Sequence, residues 1–185
     1  NGVRCVARFL ADETGKEELK LQSKAGMIVA RVLPDESITV NLGEPSFDPQ
    51  ALPFQVESKK DFYQLDIQAE EIEFGAVSLG NPHAVIAVDS VDVAPVDILG
   101  PALGSHSVFP RGVNVGFVEI TNQTQVNLRV FERGVGETPG CGTGAAAAVA
   151  VGRRWKALAE NVLVTLPGGT LNVNWAGTGS PLWLQ

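Results

Sequence analysis

The sequence predicts an α+β fold, a curved and mainly antiparallel sheet wrapped around one central Ala-rich helix. Short β-rich runs outnumber helical stretches, and tight turns join them, which favours antiparallel pairing over βαβ units. Gly144 to Gly152 reads Gly-Ala-Ala-Ala-Ala-Val-Ala-Val-Gly and has no polar face. A helix apolar all round must be buried on all sides, and its small side chains let surrounding strands come close to its backbone.

The elements follow in order. Residues 3–10 read as a first helix. Residues 19–23, 27–33 and 37–42 read as strands, joined by Lys24-Ala25-Gly26 and Pro34-Asp35-Glu36, both turn sequences. The stretch 37–42 alternates polar and apolar residues with period two, so one face is buried. Gly43 to Pro53 carries one Gly and three Pro, a loop and a candidate domain boundary. Strands resume at 62–68, 72–78, 84–88, 113–120 and 125–131. Residues 95–103 read as a second helix with Pro95 in its first turn, where a missing N–H costs nothing. The Ala-rich helix spans 144–158. Strands 162–166 and 170–175 flank Pro167-Gly168-Gly169, a hairpin signal, and 181–185 begins another strand. A weak internal echo sets Asn1-Gly2-Val3-Arg4 against Thr143-Gly144-Ala145-Ala146, as if two similar domains each held a central helix.

Charge and cysteine usage narrow the function classes. The chain has 185 residues, 14 basic and 21 acidic side chains, and a net charge of −7. The two signs balance over residues 1–43, so the excess lies in 44–185. Such a chain has no electrostatic footprint for nucleic acid or an anionic membrane, and no apolar run approaches the ~20 residues of a membrane span. It opens on Asn1 rather than Met, with no signal peptide, which implies a segment upstream that this sequence does not carry. Two cysteines, Cys5 and Cys141, and two histidines, His83 and His106, build neither a disulfide scaffold nor a closed zinc site. A reducing setting follows, and the ligand count and spacing argue against a structural metal.

Cys141 stands in Gly140-Cys141-Gly142-Thr143-Gly144, just before the Ala-rich helix. Helix starts expose unpaired N–H groups and the positive end of the dipole. A thiol there can be acidified, and the N–H groups of Gly142, Thr143 and Gly144 can hold a carboxylate. The competing reading is an inert cysteine packed at a tight turn. If the thiol is acidified, Cys141 is alkylated before Cys5, which sits inside its helix.

Neighbouring segments add chemistry. Glu132-Arg133-Gly134-Val135-Gly136-Glu137-Thr138 ends a strand. It offers an Arg fork for a carboxylate and a Glu to position an amine or the thiol. The same loop could be nothing more than solvated charge. Gly80-Asn81-Pro82-His83 is a polar turn between apolar strands, where a lone His is often structural. Arg111-Gly112-Val113-Asn114 starts another strand. His106 reads as exposed loop without a role.

These segments, in this order, resemble diaminopimelate epimerase. That family reads Cys-Gly-Asn-Gly-x-Arg-Cys at its first active-site loop, and this chain opens Asn1-Gly2-Val3-Arg4-Cys5. Gly80-Asn81-Pro82-His83, Val113-Asn114-Val115-Gly116-Phe117, Glu132 to Thr138, Cys141-Gly142-Thr143-Gly144 and Leu166-Pro167-Gly168-Gly169 complete the set. The resemblance implies two similar domains with the substrate between them, 1–43 being the end of the first and 44–185 the second. It implies inversion of one α-carbon of diaminopimelate by two cysteines, without a cofactor, in the lysine and peptidoglycan pathway. Cys141 is then one base, and the other lies upstream of Asn1, so this chain alone is expected to be inactive. Gly142, Thr143 and Asn1 resemble the cradle of the reacting carboxylate. Asn81, Asn114 and Arg133 resemble the grip on the rest of the amino-acid substrate. Glu132 would support Cys141, His83 would support the other cysteine, Cys5 would be structural, and the intact enzyme would be a homodimer. Two rivals stay open: another cofactor-independent amino-acid racemase of the same fold, and a Cys–His hydrolase or acyltransferase with Cys141 as nucleophile and His83 as base.

Overall fold

The computed structural model describes residues 2–23 and 26–185. Its elements are α1 (Gly2–Thr14), β1 (Glu18–Ser23), β2 (Gly26–Val32), β3 (Ile38–Asn41), a short 3-10 turn (Pro49–Ala51), β4 (Tyr63–Ile67), β5 (Glu70–Ser78), β6 (Pro82–Ala87), α2 (Val96–Gly104), β7 (Asn114–Asn122), β8 (Gln125–Glu132), β9 (Gly136–Thr138), α3 (Gly142–Arg154), β10 (Asn161–Leu166), β11 (Gly169–Asn174) and β12 (Trp183–Leu184). Asn1 and the turn expected at Lys24-Ala25 lie outside the described residues.

The strands form one sheet in the order β1-β2-β3-β12-β11-β10-β8-β7-β6-β5-β4, with β9 on β8. Among the described residues, nine strand pairs are antiparallel, and β6·β7 and β8·β10 are parallel. Mainly antiparallel pairing holds. The two parallel ladders arise because α2 connects β6 to β7 and α3 lies between β8 and β10. A helix is the usual crossover that lets consecutive strands run the same way.

Period-two alternation sends the central strands' side chains to two cores. Val77, Val85, Val118, Val126, Leu128 and Val130 pack with the alanines of α3. Phe74, Ala76, Ala84, Ile86, Val115 and Phe117 point the other way, toward Leu99 and Leu103 of α2 and the Phe54, Tyr63 and Phe109 rings. Every residue from Gly144 to Gly152 is buried, and α3 packs against β5, β6, β7, β8, β11 and β12. This is the burial its composition requires. A third, smaller core sits under α1. Val3, Ala7, Leu10 and Ala11 recur at helical spacing and cover Leu19, Ala30 and Val40.

Four local expectations are corrected. The first helix runs on to Thr14. The Ala-rich helix starts at Gly142 and stops at Arg154, since Gly152 to Leu158 turns back on itself through Ala157 N–H to Gly152 O at 3.0 Å. The Gly-rich loop after Glu132 contains strand β9, whose short run carried no apolar pattern to announce it. Cys5 is exposed, whereas a structural role implies burial; it lies on the solvent side of the amphipathic α1, away from Ala7.

Candidate active site

The site is built where β8, β9 and the start of α3 meet. Cys141 is the N-cap of α3, and its carbonyl accepts the first helical bond, from Ala145 N–H at 2.9 Å. Glycine at 144 avoids a crowded contact. A Cβ there would stand 2.9 Å from Val130 Cγ2 and 3.2 Å from the Cys141 sulfur. Cys141 is buried, 7% exposed. It faces a cleft of about 300 Å³ lined by Val3, Arg4, Glu132, Gly142, Thr143 and Leu184, among others.

Burial pushes the Cys141 thiol above its ordinary range, and the nearby Glu132 carboxylate pushes the same way. The Gly144 N–H and the Thr143 hydroxyl pull it down without prevailing. The influences at the sulfur thus run against the expectation of an acidified thiol. Position at a helix start is one influence, and desolvation of the sulfur outweighs it. Cys141 rests protonated at neutral pH.

Glu132 ends β8, and its Oε1 accepts a bond from the Thr138 hydroxyl of β9. The β8–β9 pairing is clamped by Arg129, whose Nε donates to Glu137 at 2.7 Å and whose Nη2 donates at 2.9 Å. The hairpin thus fixes Glu132 beside the thiol. Thr138 and Arg129 were not singled out as functional from the sequence, although Thr138 closes the motif that begins at Glu132.

On the other side of Cys141 stands a line of polar side chains. Thr143 Oγ1 is 3.8 Å from the sulfur. Asn81 Nδ2, from the β5–β6 turn, donates to Thr143 Oγ1 at 3.3 Å. Asn81 Oδ1 is 3.2 Å from His83 Nε2. His83 is 1% exposed, and burial, reinforced by the Arg133 charge, depresses its pKa to about 3. It is a neutral ring, engaged by Asn81, and separated from Cys141 by two side chains. It has no direct path to serve as base for that thiol.

Asn114 is buried and used internally. Its Oδ1 accepts from Arg133 N–H at 2.9 Å, and its Nδ2 donates to Pro82 O at 3.0 Å. One amide proton remains for any ligand. The Arg133 guanidinium donates to Arg111 O at 2.8 Å and lines a neighbouring cavity of about 510 Å³ together with His106. His106 is half-buried rather than an exposed loop residue, and its Nδ1 accepts from Val108 N–H at 3.3 Å. Cys141, Glu132, Gly142 and Thr143 therefore share one cleft. Asn81 and His83 join it through Thr143, and Asn114 orients Arg133. Asn1 lies outside the described residues. Among those residues, no group of three His, Cys, Asp or Glu side chains is placed to hold a metal ion, and no helix is long and apolar enough to cross a membrane.

Comparison with known proteins places these features. The chain is 49% identical to the diaminopimelate epimerase of Alkalilimnicola ehrlichii over 188 aligned residues, covering all of this chain and 67% of that protein. It is 49% identical to the diaminopimelate epimerase of Thioalkalivibrio sulfidiphilus over 179 residues, covering 96% of this chain and 64% of that protein. The chain thus spans about two thirds of the length of these relatives. In fold it resembles a hydroxyproline epimerase from Agrobacterium vitis, solved with bound trans-4-hydroxy-L-proline. The TM-score is 0.69 at 18% identity, covering the whole of this chain and 63% of that one. The family model for diaminopimelate epimerase matches residues 75–183, which include Asn81, His83, Asn114, Glu132, Arg133, Cys141 and Thr143. On these matches, the chain belongs to the diaminopimelate epimerase family.

Proposed function

We propose that the protein epimerises LL-diaminopimelate to meso-diaminopimelate by acid–base catalysis with two cysteines and no cofactor, as a step of lysine and peptidoglycan precursor biosynthesis. Residues 1–43 are read as the end of one domain and 44–185 as the second. The partner cysteine is read as lying in the first domain, outside this chain. The intact enzyme is taken as a cytoplasmic homodimer.

The observation that carries the reading is Cys141 at the start of α3, in one cleft with Gly142, Thr143 and Glu132. N–H groups in the first turn of a helix have no intrahelical partner and favour an anion. The substrate's reacting carboxylate suits that position. A thiolate on the far face takes the α-proton, and the C–H pair stays on carbon as a carbanion delocalised into the carboxylate. Cys141 gives its S–H proton to the opposite face, and that pair stays on sulfur as a thiolate. In the reverse direction the roles exchange. A thiol that rests protonated suits the donor role. Stabilising the carbanion by dipoles already in place is the larger electrostatic contribution. Glu132 supports the Cys141 side and His83 the other cysteine, and Asn81, Asn114 and Arg133 hold the substrate's remaining amine and carboxylate groups.

The hydrolase reading is weakened by the His83 geometry, since the ring is buried and bonded to Asn81. The test is deuterium uptake at the substrate α-carbon by the intact enzyme in heavy water, with metals chelated. Uptake at the α-carbon that is inverted, with no loss on chelation, is expected. A requirement for pyridoxal phosphate, or a preference for proline over diaminopimelate, would sink the proposal. The 185-residue chain alone is expected to show no turnover.

A further inference from the structure

The polar line behind Cys141 has a direction. Asn81 Oδ1 is a carbonyl oxygen and can only accept, so His83 Nε2 carries the ring proton and donates to it at 3.2 Å. With its oxygen held there, the amide must present Nδ2 to Thr143, to which it donates at 3.3 Å. The Thr143 hydroxyl, having accepted that bond, keeps its single proton for another neighbour, and the sulfur lies 3.8 Å away. We propose that His83 and Asn81 are positioning residues that act through Thr143 on Cys141, ordering three donors into a line aimed at the sulfur.

The alternative orientation shows what the line accomplishes. If the Asn81 amide were reversed, its oxygen would take the Thr143 proton and leave the sulfur without that donor. His83 is buried between strands and stays neutral through the working pH range, so its bond to Asn81 does not change with mild acidification. A hydroxyl donating to sulfur favours thiolate over thiol. It therefore opposes burial and the Glu132 carboxylate, which favour the thiol. Arg4 from α1 also lines the cleft, and Arg133 lies on the His83 side. A group that must serve as both acid and base needs such opposing influences near balance. The inference rests on reading Cys141 as a proton-transferring thiol.

The test is the pH dependence of Cys141 alkylation in the 185-residue chain, with Cys5→Ser to leave one thiol, followed by mass spectrometry. Thr143→Val should raise the midpoint by about one unit, which is about tenfold in thiolate fraction below it. Thr143→Ser, which keeps the hydroxyl, should retain the original midpoint. Asn81→Leu should raise it by a similar amount, and the double variant should go no further than either alone. His83→Gln, with an N–H of its own, should shift it less than His83→Leu. An unchanged midpoint in Thr143→Val, or shifts of Asn81→Leu and Thr143→Val that add, overturns the relay. If His83→Leu does not fold, the Asn81 and Thr143 pair decides. The assay reads the thiol and not turnover, so failure of the relay and failure of the proposed epimerase activity are separate results.

Discussion

The Gly168 N–H donates to the Pro139 carbonyl at 2.6 Å, so the β10–β11 hairpin turn braces the loop that leads into Cys141. A Cβ at 168 would stand 2.7 Å from that same carbonyl oxygen. Gly168→Ala is therefore expected to push the loop away and to lower stability by about 1–3 kcal/mol, the usual range for overpacking a well-fitted contact. Urea denaturation measures the loss. A variant as stable as the parent would show that the two loops do not bear on each other.

Cys5 is exposed and Cys141 is buried with a thiol raised by that burial. In the 185-residue chain, Cys5 is expected to be alkylated first at neutral pH, with Cys141 catching up as pH rises. This reverses the order that the helix-start argument predicts. Mass-spectrometric mapping of a pH series checks it, and preferential labelling of Cys141 at neutral pH would restore the dipole as the dominant influence.

Removing the Glu132 charge should acidify Cys141, since that carboxylate holds the thiol up. Glu132→Gln is expected to speed Cys141 alkylation at neutral pH by several-fold, about what loss of one near charge brings at a partly shielded site. A slower rate would mean that Glu132 acts on the sulfur mainly as a base. Thr138→Val, which frees Glu132 from its bond, should move the rate less.

His83 gives the fold a pH dependence of known sign. Its folded pKa of about 3 lies below the ordinary 6.5. Between those values the unfolded chain binds a proton that the folded chain does not. Stability is level above about 6.5 on this account and falls as pH drops toward 3, by up to about 1.4 kcal/mol per pH unit. Denaturant titrations at neutral pH and about two units lower, compared with His83→Gln, isolate this share. An identical slope in the variant would place the titration elsewhere.

Much of this architecture was legible because the signals were local and redundant. The run from Gly144 to Gly152 permits no exposed face, and the alternation at residues 37–42 permits only a half-buried strand. The parallel pairing of β6 with β7 was not legible, because it depends on where α2 carries the chain and not on either strand's composition. β9 was hidden for a related reason: Gly136, Glu137 and Thr138 pair with β8 through backbone groups, while the side chains read as loop. In the site, the residue types at Cys141, Glu132, Asn81 and His83 could be picked out by their motifs. What could not be read was which effect wins at the sulfur. Helix-start position is written in sequence, whereas desolvation depends on the tertiary packing around the thiol. For the same reason Asn114 reads as a ligand-facing amide, yet its oxygen belongs to Arg133 N–H.

The pairing of β12 with β3 bears on how the chain reaches this state. Leu184 pairs with Val40, Trp183 with Asn41, and Gln185 Nε2 donates to Ser37 Oγ at a separation of 148 residues. The outer edge of β3 thus waits for segments made far later. A growing polypeptide on the ribosome would hold a three-stranded piece with its β3 edge open until synthesis of β12, an arrangement prone to pairing with the wrong neighbour. Contacts so distant in sequence also raise contact order, which slows the search for the native topology. Closure of that ladder is therefore expected to be a late event in folding.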